Sequence, residues 1–594
     1  MDNTMKDAEI LLNDAVIELS GIDNVKEETR EQLLNAPVLY FDTETTGFSP
    51  WKSEIALIQL HDPISKKVLL GRVPPGWKSS DFVNKLFSSG KTIVGHNIAS
   101  FDIPFMHSMG VTWENSKYFD TLIGETVCST SGRRDVSKSL RESVRRRTGY
   151  KINKEIEHGG WRNPELSDEQ INYAAIDVLS LPDLHTTHIE KAKETNQTQA
   201  LEMEMEVLPV FASMTINGLP ISFDALDKYM NSMKDRMVES GKLLKQKLGN
   251  INYNSPVQLK NKLNEIGIDV QSTNKNLLQD IIQFDPESEN AKLLQAILDW
   301  RKPSKRTSMY GSEEWQNEHI QYDGRIHSRF WQVGADTTRV SSSDPNLQQI
   351  PKDARWVFGN VPGLKVVSVD YSQIEVRISA DLSGDTALAE VLDHDDVHAG
   401  IASQVFKKPA EKITPAERKL SKAMVFTLLF GGSWKVFHEY ARRSGSSMSE
   451  QEALELFRAF FEAFEGLWRM RQRAYALSRY KRVAVITLPN KARRVLVGNS
   501  LRPTIILNTP VQGTAAVGMK YGLIDAHHKG LSKYLGAVVH DETVSAVPEN
   551  EAEDYANEMR DSLVRGMKKV VKNVTVKAEI ARLENGELPD YWLA

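Results

Sequence analysis

A short apolar run, Pro37-Val-Leu-Tyr-Phe41, stops abruptly at Asp42 and a Thr/Gly turn, the pattern of a buried strand that delivers a polar residue at its end. Thr92-Ile-Val94 repeats that pattern, and Asp168 to Thr187 carries a helical period. These elements predict one α/β domain over 1–195 that includes a short helical lead-in before Pro37. From Leu201 to Ala296 the pattern is helical with few strand signals. A further strand, Leu364 to Val369, ends in Asp370. Helices dominate from Val397 to Arg479, and strand patterns return at Val483 to Leu488 and Gly536 to Val547. The last is expected to be a hairpin with His540-Asp541-Glu542 at its turn.

No apolar run approaches the roughly 18 to 20 residues of a membrane helix, and 594 residues at roughly 150 per domain suggest about four units, each able to bury its own core. A soluble, multidomain α/β and α+β protein is expected, and a single small binding module is excluded. Net charge is −5 and the pI about 6.3, so any polyanion partner must meet a locally positive groove. Two basic stretches are available, Arg141 to Lys151 and Arg301 to Arg306, although a solvated helix face explains either one alone. A single cysteine, Cys128, excludes an intramolecular disulfide framework and a cysteine-based zinc cluster. The N-terminus is acidic and carries no secretion or transit pattern, so the cytoplasm is the expected location.

Asp42 and Glu44 alternate at a strand end, so both carboxylates can face one side, a hard-oxygen pair suited to Mg²⁺ with Mn²⁺ as substitute. An Asp-x-Glu alone is more often a polar strand end. Two further segments change that balance. His96-Asn97-Ile-Ala-Ser-Phe101-Asp102 supplies a third carboxylate after another strand, and Tyr173 and Asp177 share one helix face. Asp42, Glu44, Asp102 and Asp177 could then hold two divalent ions, with Tyr173 orienting an attacking water for in-line phosphodiester hydrolysis.

Asp370 at a strand end and Asp541 at a hairpin turn form a second candidate pair that could share two Mg²⁺ ions with a nucleoside triphosphate. Between them, Arg418, Lys422, Phe426 and Phe430 recur every fourth residue and form one slanted helix face, cations first and rings last. Aromatics at that spacing usually belong to a core, but two unpaired cations on the same stripe would be costly to bury. A triphosphate with a base stacked beyond it matches that order.

Asp42-Thr-Glu44, Asn97-x3-Phe101-Asp102 and Tyr173-x3-Asp177 resemble the three exonuclease motifs of the DEDD superfamily in its tyrosine-bearing branch. The resemblance implies a ribonuclease-H-like fold and 3′-to-5′ removal of nucleotides. The segments around Asp370, Arg418 to Gly432 and Asp541 resemble motifs A, B and C of the family A DNA polymerases. Thr338-Arg339-Val-Ser341-Ser342, Asp396-Val-His398 and Asn508-x-Pro510-x-Gln512-Gly513-Thr514-Ala515 agree with it. It implies a right-hand polymerase over 196–594, with the thumb at about 200–320, the palm at about 321–395 and 480–594, and the fingers at about 396–479.

By the same resemblance Asp370 and Asp541 are metal ligands, Glu542 is an accessory carboxylate, and Lys422 also protonates the leaving pyrophosphate. Arg418, Phe426, Phe430, Gln373 and His398 contact the incoming nucleotide, Glu375 is the steric gate against a 2′-hydroxyl, and Arg339, Asn508, Gln512 and His540 touch primer-template DNA. The implied partners are primer-template DNA and deoxynucleoside triphosphates, handled by a monomer, with replication accessory proteins left open. Only roughly 36 residues precede the first motif strand, too few for the 5′-nuclease domain of many relatives, which suggests a Klenow-like or bacteriophage-type enzyme. Val425 and Thr427 flank Phe426 where the family carries Asn and Gly, Phe430 replaces a tyrosine, and Val517 replaces an aspartate. A degenerate binding protein and a single-subunit RNA polymerase are the competing readings. The complete ligand sets speak against the first, and Glu375 with the exonuclease motifs against the second.

Overall fold

The computed structural model describes residues 6–129, 136–152 and 159–593, so the first five residues of the acidic N-terminus lie outside it. A six-stranded sheet organises the N-terminal part, in the spatial order Val16–Gly21, Lys67–Arg72, Ile55–Asp62, Val38–Thr45, Thr92–Gly95, Lys117–Asp120. The Val38–Thr45 strand is interior, antiparallel to Ile55–Asp62 and parallel to Thr92–Gly95. Its apolar residues Leu39 and Phe41 are fully buried, and the Phe41 ring meets Phe87 edge-on at 5.0 Å. Burial on both sides fixes its register, which in turn fixes where Asp42 and Glu44 stand. The helical stretch expected from Asp168 to Thr187 is two helices, Asp168–Leu179 and Leu181–Glu194. Pro182 explains the break, because its ring tolerates a helix start but not an interior.

The helical unit runs through Thr198–Asn217, Phe223–Leu248, Pro256–Glu265, Lys275–Phe284 and Glu289–Tyr310. The last four enclose an apolar cluster of their own around Leu244, Leu259, Leu278 and Ile297. A four-stranded antiparallel sheet follows, in the order Leu535–Val539, Glu542–Pro548, Leu364–Tyr371, Ala578–Ile580. The helices between Val397 and Tyr480 pack around Met424, Leu428, Phe437 and Phe464 as a further separate cluster.

The helical unit and the Val397–Tyr480 region therefore have cores of their own, but the N-terminal sheet and the C-terminal sheet share one continuous apolar cluster. Thr198–Asn217 is the reason, since it packs on the helices of the first part and on Pro503–His528 and Leu535–Val539 of the second. A buried ion pair, Glu204 to Lys520 at 2.5 Å, pins that junction, and Gln332 donates to the same glutamate at 2.7 Å. Breaking such a pair leaves a buried charge uncompensated, which makes the junction intolerant of sliding.

Candidate active sites

The first site is built on the Val38–Thr45 strand. Carboxylate oxygens of Asp42, Glu44 and Asp177 all lie within 4.8 Å of one another. Asp177 reaches them from Asp168–Leu179, whose start is fixed by a reciprocal Ser167–Gln170 capping box. Asp102 opens the helix Asp102–Ser108, is buried, and accepts the Thr43 hydroxyl at 2.5 Å, so the fourth carboxylate arrives from the Thr43 side. Burial, then Asp102, Asp177 and Glu44, push the Asp42 carboxyl well above its usual range. Burial also raises Asp102 to about 7, against the Thr43 hydrogen bond. Tyr173 stands one turn before Asp177, and burial and then the Asp177 charge push its phenol up. The phenol stays protonated and can donate. Hard oxygen donors this close, with Asp42 and Asp102 disfavoured as anions, are the donor set a divalent cation relieves.

The second site sits where the C-terminal strands meet. Asp370 lies directly opposite Glu542, and the Tyr371 N–H donates to the Asp541 carbonyl at 3.3 Å, which places the Asp541 turn against Asp370. His540 adopts a left-handed φ of 62° and makes the turn tight. Asp370 is the exposed residue of its strand, yet partial loss of hydration, then Asp541 and Glu542, raises its carboxyl to about 7. Asp541 is raised by burial and then by Glu375. Glu375 lies in the first turn of Ile374–Ser383 and is ion-paired to Arg339. Asp370, Asp541, Glu375 and Arg339 thus form one cluster. Gln373 precedes that helix with a left-handed φ of 53°. Asn508 and Gln512 are half-buried, one turn apart on Pro503–His528, which packs against Ile374–Ser383, and His540 is exposed.

Glu542 adds its charge to Asp370 across the ladder, but its own carboxylate is engaged by other donors. Its carboxylate accepts the Ser368 hydroxyl at 2.5 Å, the Trp592 indole N–H at 2.7 Å and an Arg355 N–H at 3.0 Å. Three donors, one of them cationic, hold it sideways along the sheet.

The triphosphate-type stripe lies on Pro415–Leu428, begun by a Thr414–Glu417 capping box. Arg418, Lys422 and Phe426 are exposed on it while Ser421, Val425 and Leu428 face inward, so the core-helix reading of the stripe fails. Phe426 is 54 % exposed, with the Lys422 ammonium 5.9 Å from its ring centre. The stripe is one residue shorter than the spacing implies. The helix ends at Leu428, so half-buried Phe430 lies in the turn beyond it, before Gly431 at φ 89°. Arg418 donates to Asp396 at 2.6 Å, and Asp396 also caps Val397–Phe406 through the N–H groups of His398 and Ala399. Burial, then Lys422 and Arg418, holds His398 below the usual imidazole range, hence neutral at pH 7.

A family model described as DNA polymerase family A matches residues 223–585, more than half of the chain, and one described as 3′-5′ exonuclease matches residues 17–190. The chain belongs to DNA polymerase family A. It is 29% identical to DNA polymerase I of Aquifex aeolicus across 94% of this chain and 97% of that one. DNA polymerase I of Chloroflexus aurantiacus is 27% identical, covering 92% of this chain and 61% of its own length. Among solved structures, one described as the POL domain of Pol1 from M. smegmatis in complex with DNA primer-template and dNTP superposes with a TM-score of 0.79. At 20% identity, and covering 95% of this chain and 98% of that one, it shares the fold.

Two residues of this family A polymerase carry weight that sequence reasoning missed. Asp120 is buried at the end of Lys117–Asp120 and accepts the N–H groups of Asn97, Ala99 and Leu122, fixing the loop that presents Asp102. A strand-end aspartate, the same signal as Asp42, could have revealed it. Arg377, 1% exposed, donates to the carbonyls of Ser372, Thr575 and Leu392 and locks the turn after Asp370. No local pattern signals it, because those partners are backbone carbonyls, two of them well separated from it along the chain.

Proposed function

We propose that the two clusters are the two active sites of a template-directed DNA polymerase with 3′-5′ proofreading, dividing near residue 195 into an exonuclease domain and a thumb, palm and fingers. The observation that carries this reading is the cluster of Asp370 and Asp541 beside the Arg339–Glu375 pair, in a chain whose Pro415–Leu428 helix leaves Arg418, Lys422 and Phe426 exposed on one face. Primer-template DNA and deoxynucleoside triphosphates are the substrates. Family A polymerases and their exonuclease domains depend on metal. Here Asp370 with Asp541, and Asp42, Glu44, Asp102 and Asp177, would hold Mg²⁺, which when bound neutralises phosphate charge and favours ionisation of the attacking oxygen.

The remaining roles belong to the chain's own side chains. Arg418 and Lys422 meet the triphosphate oxygens, and Lys422 Nζ gives a proton to the departing pyrophosphate. Phe426 offers its exposed face to the base. His398, kept neutral, donates a hydrogen bond without adding charge. Glu375, fixed by Arg339, fills the space a 2′-hydroxyl would need. Arg339, Asn508, Gln512 and His540 line the duplex side. Glu542 acts by keeping the sheet in register beside Asp541. At the exonuclease site the Tyr173 hydroxyl, held protonated, orients the attacking water.

A 5′-labelled primer annealed to template and incubated with Mg²⁺ tests the assignment. Asp541→Ala should abolish extension and spare 3′ degradation, and Asp42→Ala should do the reverse. Extension by Asp541→Ala at the wild-type rate, or degradation by Asp42→Ala, refutes the corresponding site.

A further inference from the structure

The segment Thr46 to Ser53 leaves the strand that carries Asp42 and Glu44 and is a loop. Its base is closed by its own contacts, since the Thr46 N–H donates to the Glu54 carbonyl at 2.9 Å and the Glu54 N–H to Thr46 Oγ1 at 3.0 Å. Its tip has no core beneath it. Phe48 is 78% exposed, and a cavity of about 330 Å³ separates the tip from the polymerase body. That cavity reaches Ser100, two residues before Asp102.

Side chains and carbonyls on both sides bridge the gap. Arg329 Nη2 donates to the Phe48 carbonyl at 2.6 Å. Lys52 Nζ donates to the carbonyls of Asn317 and Glu318 at 2.6 and 2.9 Å. The Trp51 ring meets His327 edge-on at 4.2 Å, and His327 is held at 3.0 Å by both Asp323 and the Thr215 carbonyl. All of these partners lie beyond residue 195, outside the segment that holds the exonuclease carboxylates. A loop over a void takes its position from point contacts of this kind, and charge-assisted hydrogen bonds are the stronger ones.

Arg329 has a second connection. It starts the strand Arg329–Trp331, paired with Ser341–Ser343, and the turn of that ribbon carries Arg339, the partner of Glu375. One short ribbon therefore grips the exonuclease loop at one end and the sugar gate of the polymerase site at the other.

We propose that Arg329, Lys52 and Trp51 are positioning residues for the exonuclease reaction, holding the Thr46–Ser53 loop from the polymerase body so that a single-stranded 3′ end finds a preformed approach to Asp42 and Glu44. The proposal rests on the assignment of the Asp42 cluster as the exonuclease site. Its test uses the full chain carrying Arg329→Ala, Lys52→Ala or both, with degradation of a labelled single-stranded oligonucleotide resolved into kcat and KM, and primer extension and Tm measured on the same preparations. The double variant should raise KM about tenfold while kcat and the extension rate stay within about twofold of wild type, and Arg329→Lys, which keeps a cationic donor, should recover most of the loss. An unchanged KM overturns the proposal, as does a parallel fall in both activities with Tm. Asp42→Ala run alongside separates the two failures. If it still degrades the oligonucleotide, the site assignment is at fault, and if it is inactive while the double variant matches wild type, the loop proposal alone is.

Discussion

The two carboxylate clusters solve the same electrostatic problem to different degrees. In the exonuclease site three carboxylates converge within 4.8 Å and a fourth is locked to Thr43, all brought by packed secondary structure. In the polymerase site Asp370 and Asp541 lie together, while Glu375 is ion-paired to Arg339 and Glu542 is held by Ser368, Trp592 and Arg355. Magnesium keeps several ligand positions for water and substrate phosphate and needs only one or two protein carboxylates where a triphosphate is supplied. A phosphodiester at a 3′ end brings fewer charges, so the protein must supply more. On the proposed assignment, the difference in carboxylate number follows the difference in substrate charge.

The largest consequence is unequal dependence on a single ligand. Asp370→Asn removes half of a two-member set and should lower primer extension by about 10³-fold or more, measured as single-nucleotide incorporation. Asp177→Asn removes one member of a larger set and should lower 3′ degradation by about 10²-fold. Equal losses at the two sites would erase the distinction.

Smaller effects separate the groups that serve each cluster. Tyr173→Phe keeps the ring and deletes the donor, and should slow degradation by about tenfold to a hundredfold with extension unchanged. Glu375→Ala opens the sugar gate and frees Arg339, and should reduce discrimination against ribonucleotides by about tenfold, read as the ratio of kcat/KM for the two sugars. Unaltered discrimination would move the gate elsewhere.

Strand ends and short-range helix faces were the legible part of this molecule. Asp42, Asp370 and the Asp541 turn could be found because an apolar run ending in an acid is a local signal, and Arg418, Lys422 and Phe426 because the helical period is local too. Phe430 was misplaced because the helix stops at Leu428, where Gly431 admits a left-handed turn that spacing alone does not reveal. Glu542 reads as an accessory carboxylate beside Asp541, and its engagement by Ser368, Arg355 and Trp592, all remote in the chain, left no local pattern. The shared core of the two halves was equally hidden, since Thr198–Asn217 is apolar towards two partners and periodicity does not say which. The anchoring of the Thr46–Ser53 loop joins segments remote in the chain and left no pattern to read.

The smallest expected effect concerns stability, and it depends on the sign of the pKa shifts. Asp42, Asp102 and Asp370 all bind protons more tightly in the folded chain than at their ordinary value of 3.8, Asp102 and Asp370 at about 7. Folding therefore takes up protons between those limits, and the metal-free protein loses stability as pH rises from about 4 to 7, with the full cost present above 7. A divalent cation offsets that cost where the carboxylates are ionised and must displace protons where they are not. Added Mg²⁺ should raise Tm by a few degrees at pH 8 and by less at pH 5.5, measured by thermal denaturation against an EDTA control. Because the exonuclease site gathers more of these carboxylates, Asp42→Asn should remove more of the pH 8 increment than Asp370→Asn. An increment of equal size at both pH values would mean that the ion binds elsewhere, and a larger loss in Asp370→Asn would reverse the ranking of the two clusters.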